Sequence, residues 1–346
     1  MLAAEPASGG PSISVIVPAR NEEVSLGACL ESLIAQTGVA FEIIVVDDGS
    51  TDSTREIAQS YAGVRVVDPD PLPEGWSGKT NAMMSGAKHA QGQWLLFTDA
   101  DTVHLPCSLQ HSLEEAKSKG ASLLSYSPEQ EVHGFWEKAV MPVIFSDLAA
   151  TYSPSRVSDP NSPAAAANGQ YLLVSREAYD AIGGHAAVAK TLLEDVAFAR
   201  AMKMSGRKIF FRYGGDVVRT HMYRSFAQLR EGWTKNLSLL FPSSLRLAIL
   251  RLSEFLLISG AFVAAVRAEF RNQPQVGFGL FVLSLMALTI FLARVQKAHF
   301  PAQANRVAVF GLPVFAYLLM RSRLSYRQGR VQWKGRTYSA EHREMH

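Results

Sequence analysis

Short apolar runs alternate with segments of helical spacing along the first 130 residues of the chain. The runs are rich in Ile and Val and end at polar, Pro or Gly residues, which is typical of buried strands. The segments between them have the three- and four-residue spacing of amphipathic helices. The pattern predicts strands at 13–18, 41–46, 64–67 and 121–127 and one that runs into residue 99, with helices at 24–36, about 52–61, 79–90 and 106–119.

This alternation predicts an α/β fold with a mostly parallel sheet that is covered by helices on both faces. In such sheets ligands bind at the carboxyl ends of the strands. Two acidic pairs, Asp47 with Asp48 and Asp99 with Asp101, follow predicted strands directly. We therefore expect both pairs to converge on one crevice.

Asp99 and Asp101 are spaced i, i+2, which on an extended backbone points both side chains to the same side. Two carboxylates held together repel each other unless a cation or hydrogen-bond donors neutralise them. A hard divalent ion that also binds phosphate oxygens is the natural neutraliser. The alternative is an ordinary polar turn between a strand and a helix.

Other phosphate-binding patterns are missing or incomplete. No Gly-x-Gly-x-x-Gly follows the first predicted strand, which counts against a dinucleotide-dependent dehydrogenase. The segment Gly-Trp-Ser-Gly-Lys-Thr at 75–80 is part of a P-loop pattern, but it follows a predicted loop rather than a strand.

Composition excludes few classes of protein. The net charge of +3 is too small to imply a nucleic-acid partner, and we expect none. The two cysteines, Cys29 and Cys107, lie in predicted helices and do not form a disulfide framework, so a reduced, cytoplasmic active domain is expected. Residues 1–11 are small and polar, have no apolar h-region and are predicted to be disordered without a signal peptide.

The chain becomes far more apolar between residues 245 and 320. Residues 276–293 carry no charge and are long enough to cross a membrane, whereas the apolar runs at 255–266 and 307–320 are shorter. A basic tail, 321–346, follows and should stay in the cytoplasm. The catalytic domain and the tail then lie on the same side of the membrane, which requires an even number of crossings. We therefore expect 276–293 and 307–320 to cross and 245–266 to lie along the interface. The alternative is a soluble helical bundle.

A series of motifs occurs in register, and together the motifs resemble family-2 inverting glycosyltransferases with the GT-A fold over residues 12–236. They are Val-Pro-Ala-Arg-Asn-Glu at 17–22, Val-Val-Asp-Asp-Gly-Ser-Thr-Asp-Ser-Thr at 45–54, Phe-Thr-Asp-Ala-Asp-Thr at 97–102, Ala-Asn-Gly-Gln at 167–170, Gly-Gly-His at 183–185 and Leu-Glu-Asp-Val at 193–196. Residues 333–338, Trp-Lys-Gly-Arg-Thr-Tyr, resemble the tail of membrane-bound members that act on lipids, such as the carotenoid- and hopanoid-associated enzymes. The resemblance implies a catalytic domain at 12–240 and a membrane-associated segment at 241–320.

The resemblance also implies a binding site for a UDP-sugar donor. Asp48 would accept the imide hydrogen of uracil, and Asp47 would support the loop, although both could instead cap the next helix. Arg20 would line the pocket for base and ribose, or take a surface role. The full set of donor-binding residues that it implies is Pro18, Ala19, Arg20, Glu22, Asp47, Asp48, Lys79, Asn81, Asp99, Asn168, Gly169, Gln170, Glu194, Arg230 and Trp233.

By the same resemblance, Asp99 would hold ribose or metal, and Asp101 would ligate Mg²⁺ or Mn²⁺. His221 could be a further ligand, or simply a histidine packed at a strand end. Asp195, which begins a predicted helix at 195–204, would be the general base that an inverting transfer needs. The alternative is that Glu194 and Asp195 only cap this helix.

The spacing of Gln228, Arg230 and Trp233 departs from the Gln-x-x-Arg-Trp motif of processive members. The expected activity is therefore the transfer of a single sugar from a UDP-sugar to a lipid-like acceptor (a carotenoid, a hopanoid or another membrane lipid). The expected location is the cell (inner) membrane, with the catalytic domain facing the cytoplasm. The alternatives are a processive polysaccharide synthase and a non-catalytic, membrane-anchored GT-A scaffold.

Overall fold

The structure, a computed structural model, describes residues 10–329 together with the strands at 331–333 and 336–338. The predicted disorder of residues 1–9 and most of the predicted tail beyond 329 lie outside the described residues. The chain forms two compact units, the first from residues up to 130 and 152–221, and the second from 131–151 and 222 onward. By packing, residues 131–151 and 222–240 of the expected catalytic domain therefore belong to the second unit.

The elements are numbered in chain order. The strands are β1 Ile13–Ala19, β2 Phe41–Asp47, β3 Val64–Val67, β4 Trp94–Phe97, β5 Thr102–His104, β6 Leu123–Ser127, β7 Glu129–Gln130, β8 Leu172–Ser175, β9 Ile209–Tyr213, β10 Val218–Thr220, β11 Val331–Trp333 and β12 Arg336–Tyr338. The helices are α1 Leu26–Ile34, α2 Thr54–Ser60, α3 Gly78–His89, α4 Ser108–Lys119, α5 Phe135–Thr151, α6 Pro154–Ser158, α7 Arg176–Ala181, α8 Glu194–Met204, α9 Phe226–Leu240, α10 Ser244–Phe270, α11 Pro274–Val295, α12 Ala302–Val307 and α13 Gly311–Arg327.

The first unit is built on a seven-stranded sheet in the order β3-β2-β1-β4-β8-β6-β9. Strands β3, β2, β1 and β4 run parallel, and β6 and β9 are also parallel, while β8 is antiparallel to both of its neighbours. A smaller sheet has the order β5-β10-β7. The predicted mostly parallel α/β sheet is confirmed.

Alternating strand residues pack against helices on opposite faces of this sheet, because successive side chains of a strand point to opposite sides. Val15 and Val45 lie in a core with α1 and α4, whereas Ile16 and Val46 lie in a core with α3 and α8. Both faces of the sheet are therefore buried, and the carboxyl ends of the parallel strands β1, β2 and β4 lie at the same edge of the sheet.

The second unit is helical. Its core joins α5, α9 and α13 with the first part of α10 and the last part of α11. Gly311 at the start of α13 is required for this packing, since a Cβ there would lie 1.9 Å from the carbonyl oxygen of Ala139. Strands β11 and β12 pair antiparallel.

Three helical segments of this unit are long and apolar enough to cross a membrane: Ser244–Phe270, Pro274–Ala298 and Ala302–Arg327. The sequence pattern underestimated the lengths of the first and third segments, because the short apolar runs at 255–266 and 307–320 are parts of helical segments of 27 and 26 residues. The first is thus a candidate span and not merely a short interfacial run.

Candidate active site

The loops that follow β1 and β2 are held together at the carboxyl edge of the sheet. The backbone N–H of Asp48 donates to the carbonyl oxygen of Ala19 at 2.9 Å. Nη1 of Arg20 donates to the carbonyl oxygen of Asp48 at 2.9 Å and lies 3.7 Å from its carboxylate. The side chain of Arg20 therefore keeps the Asp48 loop against the end of β1.

Asp99 and Asp101 do not lie on an extended backbone, so our derivation from strand geometry is wrong at this point. Strand β4 ends at Phe97, and the N–H of Thr102 closes a tight turn on the carbonyl oxygen of Asp99 at 3.3 Å. The hydroxyl of Thr102 donates to the same oxygen at 2.7 Å, and the hydroxyl of Thr220 donates to the carbonyl oxygen of Asp101 at 3.2 Å. Two buried threonines thus fix the turn that presents both carboxylates.

Lys79 joins this turn to the start of α8. It lies in the first turn of α3, and its Nζ is 2.7 Å from Oδ1 of Asp99 and 3.3 Å from Oε1 of Glu194. Burial would lower the pKa of Lys79, but the carboxylates of Asp99 and Glu194 outweigh it and raise this pKa. The ammonium group therefore stays charged, and carboxylates rather than the helix dipole explain a lysine at this position.

Asp195 lies beside this group in the first turn of α8. Its Oδ2 accepts a hydrogen bond from the N–H of Gly169 at 3.0 Å, and its Oδ1 accepts one from the N–H of Val196 at 2.8 Å. Burial raises the pKa of Asp195 to about 6, and the negative charge of Glu194 adds to the increase, while Lys79 and the two N–H donors oppose it. The carboxylate is thus ionised near neutral pH and basic enough to accept a proton.

Gly169 permits this close arrangement. A Cβ at this position would lie 3.3 Å from Nζ of Lys79 and 3.7 Å from Oδ2 of Asp195. The site therefore combines a turn with two carboxylates, one charged ammonium group and one carboxylate with a raised pKa. Such a group of side chains can bind an anionic donor through cations and remove a proton from an acceptor.

Residues 14–183 match the family model described as glycosyl transferase family 2. A 4,4'-diaponeurosporenoate glycosyltransferase of Staphylococcus aureus (strain bovine RF122 / ET3-1) is 31% identical over 343 residues, which cover 95% of this chain and 88% of the relative. The chain belongs to glycosyltransferase family 2. The enzyme of the same description from strain USA300 is 29% identical over 342 residues, with the same coverage of both chains.

Among solved structures, the family-2 chain is similar to the mannosyltransferase PcManGT from Pyrobaculum calidifontis, which was solved in complex with GDP-Man and Mn²⁺. The TM-score is 0.51 at 16% identity, covering 92% of this chain and 87% of that chain. The likeness shows the GT-A fold.

Arg55, beside the loops expected to bind the nucleotide, is a residue that sequence reasoning missed. Asp47 is 4% exposed, and its carboxylate accepts from the N–H of Ser50 at 3.2 Å and from Nη1 of Arg55 at 3.2 Å. Arg55 also contacts Asp68 after β3, at 2.6 Å. Asp47 and Arg55 therefore shape the loops after β2 and β3, and the helical position of Arg55 alone gave no signal of this.

The other residues expected around the donor divide between the site and its support. Pro18 lies near the end of β1. The carboxylate of Glu22 accepts a hydrogen bond from the hydroxyl of Ser25 at 3.2 Å, and the N–H of Glu22 donates to the hydroxyl of Thr54 at 2.7 Å. Asn81 is buried and donates to the carbonyl oxygen of Asp70 at 2.7 Å, so it holds a loop.

Residues 168–170, which were also expected to bind the donor, likewise divide between the site and its support. Oδ1 of Asn168 accepts from the N–H of Gln170 at 2.9 Å, which turns the chain so that Gly169 faces Asp195. The side chain of Gln170 is buried and donates to Thr220 at 3.2 Å. The structure thus brings Gly169 to the carboxylate of Asp195, while Gln170 supports the turn of Asp99 and Asp101.

A metal site formed by protein side chains alone is not present among the described residues, where no group of three or more His, Cys, Asp or Glu is arranged to hold an ion. Asp99 and Asp101 still fit Mg²⁺ or Mn²⁺, which proteins commonly bind through one or two carboxylates plus substrate phosphates. The contact of Asp99 with the Lys79 ammonium also shows that this carboxylate accepts a cation. His221 directly follows β10, whose Thr220 contacts the Asp101 backbone.

Arg230 and Trp233 lie on α9 in the second unit. Trp233 is 3% exposed, its ring packs edge-to-face on Phe145 with centroids 6.0 Å apart, and its Nε1 donates to the sulfur of Met141 at 3.3 Å. Trp233 is therefore a core residue whose ring faces are not open for stacking on a donor or acceptor, which corrects the expected role. The irregular spacing of the motif was the signal for this difference.

Proposed function

We propose that this family-2 glycosyltransferase inverts the anomeric centre of a UDP-sugar as it transfers one sugar to a lipid-like acceptor, with Asp195 as the general base. The observation that carries the proposal is the environment of Asp195: two N–H donors orient its carboxylate, while burial and Glu194 raise its pKa to about 6. A carboxylate that serves only as a helix cap does not need a raised pKa.

In the proposed reaction, an acceptor oxygen attacks the anomeric carbon as the bond from this carbon to the β-phosphate oxygen breaks. UDP leaves with the bonding electron pair. If the acceptor is a hydroxyl, its proton passes to Asp195 as the new bond forms. If the acceptor is a carboxylate, it is already ionised and no proton is transferred. The charged Lys79, beside Asp99, would attract the diphosphate.

Asp99 and Asp101, with His221 as a further ligand, would hold Mg²⁺ or Mn²⁺ in this proposal. When bound, the metal would stabilise the negative charge that develops on the departing diphosphate. Asp48 and Arg20 would bind uracil and ribose at the neighbouring strand ends. The contact between these two residues supports a shared pocket.

The acceptor is proposed from two observations. The Staphylococcus aureus relatives are named for 4,4'-diaponeurosporenoate, a carotenoid carboxylate. The chain also has three apolar helices of membrane-spanning length. We therefore place the enzyme at the cell (inner) membrane, acting on a carotenoid, a hopanoid or another membrane lipid, with its catalytic unit in the cytoplasm, where nucleotide sugars are made.

The test is to incubate the purified full-length protein with a panel of UDP-sugars, Mn²⁺ and either 4,4'-diaponeurosporenoate or a membrane-lipid extract. We expect UDP release with one donor and a glycolipid in the organic phase. In the same assay Asp195→Asn should lose transfer to a hydroxyl acceptor, and its matched control is Asp180→Asn, which makes the same change at an exposed position on α7. No UDP release and no glycolipid with any donor would contradict the proposal.

A further inference from the structure

Helices α10 and α11 form a hairpin with an unusual distribution of large and small residues. Large apolar side chains point outward along its whole length, including Leu250, Leu256 and Phe262 on α10 and Phe278 and Met286 on α11. The buried positions in its outer half hold small residues instead, namely Ala261, Ala265, Ala268, Gly277 and Ser284. Small residues between two helices and large apolar residues outside are typical of helix pairs packed in lipid.

The uncharged outer surface of this hairpin matches the thickness of a bilayer. On α10 the exposed charges are Arg246, Arg267 and Glu269, and residues 247–266 between the two arginines span about 30 Å at 1.5 Å per residue. On α11 residues 274–293 carry no charge and span about 30 Å as well. The hydrocarbon core of a bilayer is about 30 Å thick.

The charges that lie within α10 are turned inward and paired. Arg251 contacts both carboxylate oxygens of Asp147 on α5, at 2.8 and 2.6 Å, and Oε2 of Glu254 at 2.8 Å. Glu254 also accepts from Arg294 of α11 at 2.9 Å. This cluster of two cations and two anions, the Asp147–Arg294 network, has no net charge. It therefore does not interrupt the apolar outer surface.

The third candidate segment, Ala302–Arg327, differs from the hairpin. In its most apolar stretch, 44% of the residues are buried within the protein, against 22% in the α10 segment and 17% in the α11 segment. Its two helices are separated by a short 3-10 turn at Ala308–Phe310. Residues 307–320, between Arg306 and Arg321, span about 21 Å, which is less than the hydrocarbon core.

Helix α13 is also bound to a polar neighbour. The hydroxyl of Tyr326 donates to the carbonyl oxygen of Lys235 at 2.7 Å, and the hydroxyl of Ser322 accepts from the N–H of Ser238 at 2.8 Å. Both partners are on α9, which also carries Arg230 and Glu231. Charged side chains are rare in the hydrocarbon core, so α9 and the end of α13 that contacts it belong in water or at the interface.

We propose that α10 and α11 alone cross the bilayer, as a transmembrane hairpin whose outer face is covered by lipid acyl chains, and that Ala302–Arg327 does not cross. The turn at 271–273 then emerges on the far side, and the chain after α13 returns to the side of the catalytic unit. This replaces the pair expected from the sequence, 276–293 with 307–320, while the number of crossings stays even.

The test is cysteine labelling of the full-length protein in cells with a maleimide that does not cross membranes. Wild type reports on the catalytic unit through the exposed Cys107, since Cys29 is buried. Two variants in a Cys107→Ser background report on the other positions: Gln273→Cys at the exposed hairpin turn and Gln328→Cys at the exposed residue after α13. We expect label at Gln273→Cys before permeabilisation, and at Gln328→Cys and Cys107 only after it.

Two results would overturn the hairpin. Gln328→Cys on the opposite side from Cys107 would mean that the third segment crosses. Gln273→Cys on the same side as Cys107 would mean that α10 and α11 do not cross. Labelling is independent of catalysis, so a protein without transferase activity would refute the proposed function and leave this result unaffected.

Discussion

In the proposed reaction, the pH dependence of transfer to a hydroxyl depends on a single residue, Asp195. Its pKa is raised to about 6, so the carboxylate is ionised above this pH and protonated below it. With a hydroxyl acceptor, turnover should therefore fall about tenfold per pH unit below 6, because a protonated carboxyl cannot act as a base. The measurement is kcat from pH 4.5 to 8, which should be level above about 7.

The same profile distinguishes the acceptor classes. A carboxylate acceptor needs no base, so its acidic limb should follow its own pKa, near 4 to 5 for an ordinary carboxyl group. A hydroxyl acceptor with constant turnover down to pH 5 would contradict the role of Asp195.

Lys79 is the second residue whose role can be isolated. Lys79→Met should weaken UDP-sugar binding, since it leaves Asp99 and Glu194 without their cation. It should also raise the pKa of Asp195, because the Lys79 charge lowers that pKa, so the acidic limb should move to higher pH. Calorimetry with UDP and the pH profile of kcat measure the two effects.

Lys88→Met is the matched control for Lys79→Met, because Lys88 lies on the same helix and pairs with Asp70 at the surface. It should change neither measurement. An unshifted pH profile in Lys79→Met would mean that the ammonium group does not act on Asp195.

At the residue scale, motifs in the sequence pointed to side chains that the fold places close together, whereas features that depend on packing could not be predicted. Asp195, Gly169 and Lys79 are brought together as a group, although they are far apart in the chain. The turn of Asp99 could not be predicted, since it depends on buried hydroxyls from Thr102 and Thr220. Trp233 is a residue type that often stacks on ligands, and only its packing in the core of the second unit shows that its ring is buried.

At the scale of elements, the first strands of the chain were predicted closely, whereas β8 and β9 of the same sheet were not predicted. The strand expected at 13–18 is Ile13–Ala19, and 64–67 is Val64–Val67. Strand β1 is buried on both faces, so an uninterrupted apolar run marks it without help from tertiary contacts, whereas β3 lies at the edge of the sheet and is only partly buried. Helix α10 was broken into shorter runs because Arg251 and Glu254 count as polar in sequence, although both are paired inside the bundle.

The Asp147–Arg294 network makes a prediction about the stability of these helices. Asp147→Leu leaves one excess cation in a site where Arg251 is 10% and Asp147 5% exposed. Removal of one partner of a buried pair costs about 3–5 kcal/mol, whereas replacement of both is nearly neutral. Thermal unfolding in detergent should therefore show a large loss for Asp147→Leu and a recovery in Asp147→Leu/Arg251→Met, which leaves Glu254 paired with Arg294.

Asp70→Leu is the control for this experiment, since it breaks an exposed ion pair worth about 0–1 kcal/mol. A double variant less stable than Asp147→Leu would show that the network stabilises the helices beyond neutralising its own charges.

At the scale of the whole molecule, the sequence predicts a catalytic α/β domain followed by membrane helices, and the GT-A fold is confirmed. The division into units could not be predicted, because the chain leaves the first unit at 131 and returns to it at 152. Helix α5 in between is as apolar as a core helix of either unit. Its assignment depends on contacts with α12 and α13, which lie more than 150 residues further along the chain.

The central claim is that one carboxylate holds the donor through a metal and another activates the acceptor. Its most direct test compares Asp101→Asn with Asp195→Asn by Mn²⁺-dependent UDP binding and by turnover on a hydroxyl-bearing lipid acceptor. Asp101→Asn should weaken UDP binding in Mn²⁺. Asp195→Asn should bind UDP nearly as wild type does and lose about 10²–10⁴ in kcat. Equal effects of the two variants on binding and turnover would contradict this division of roles.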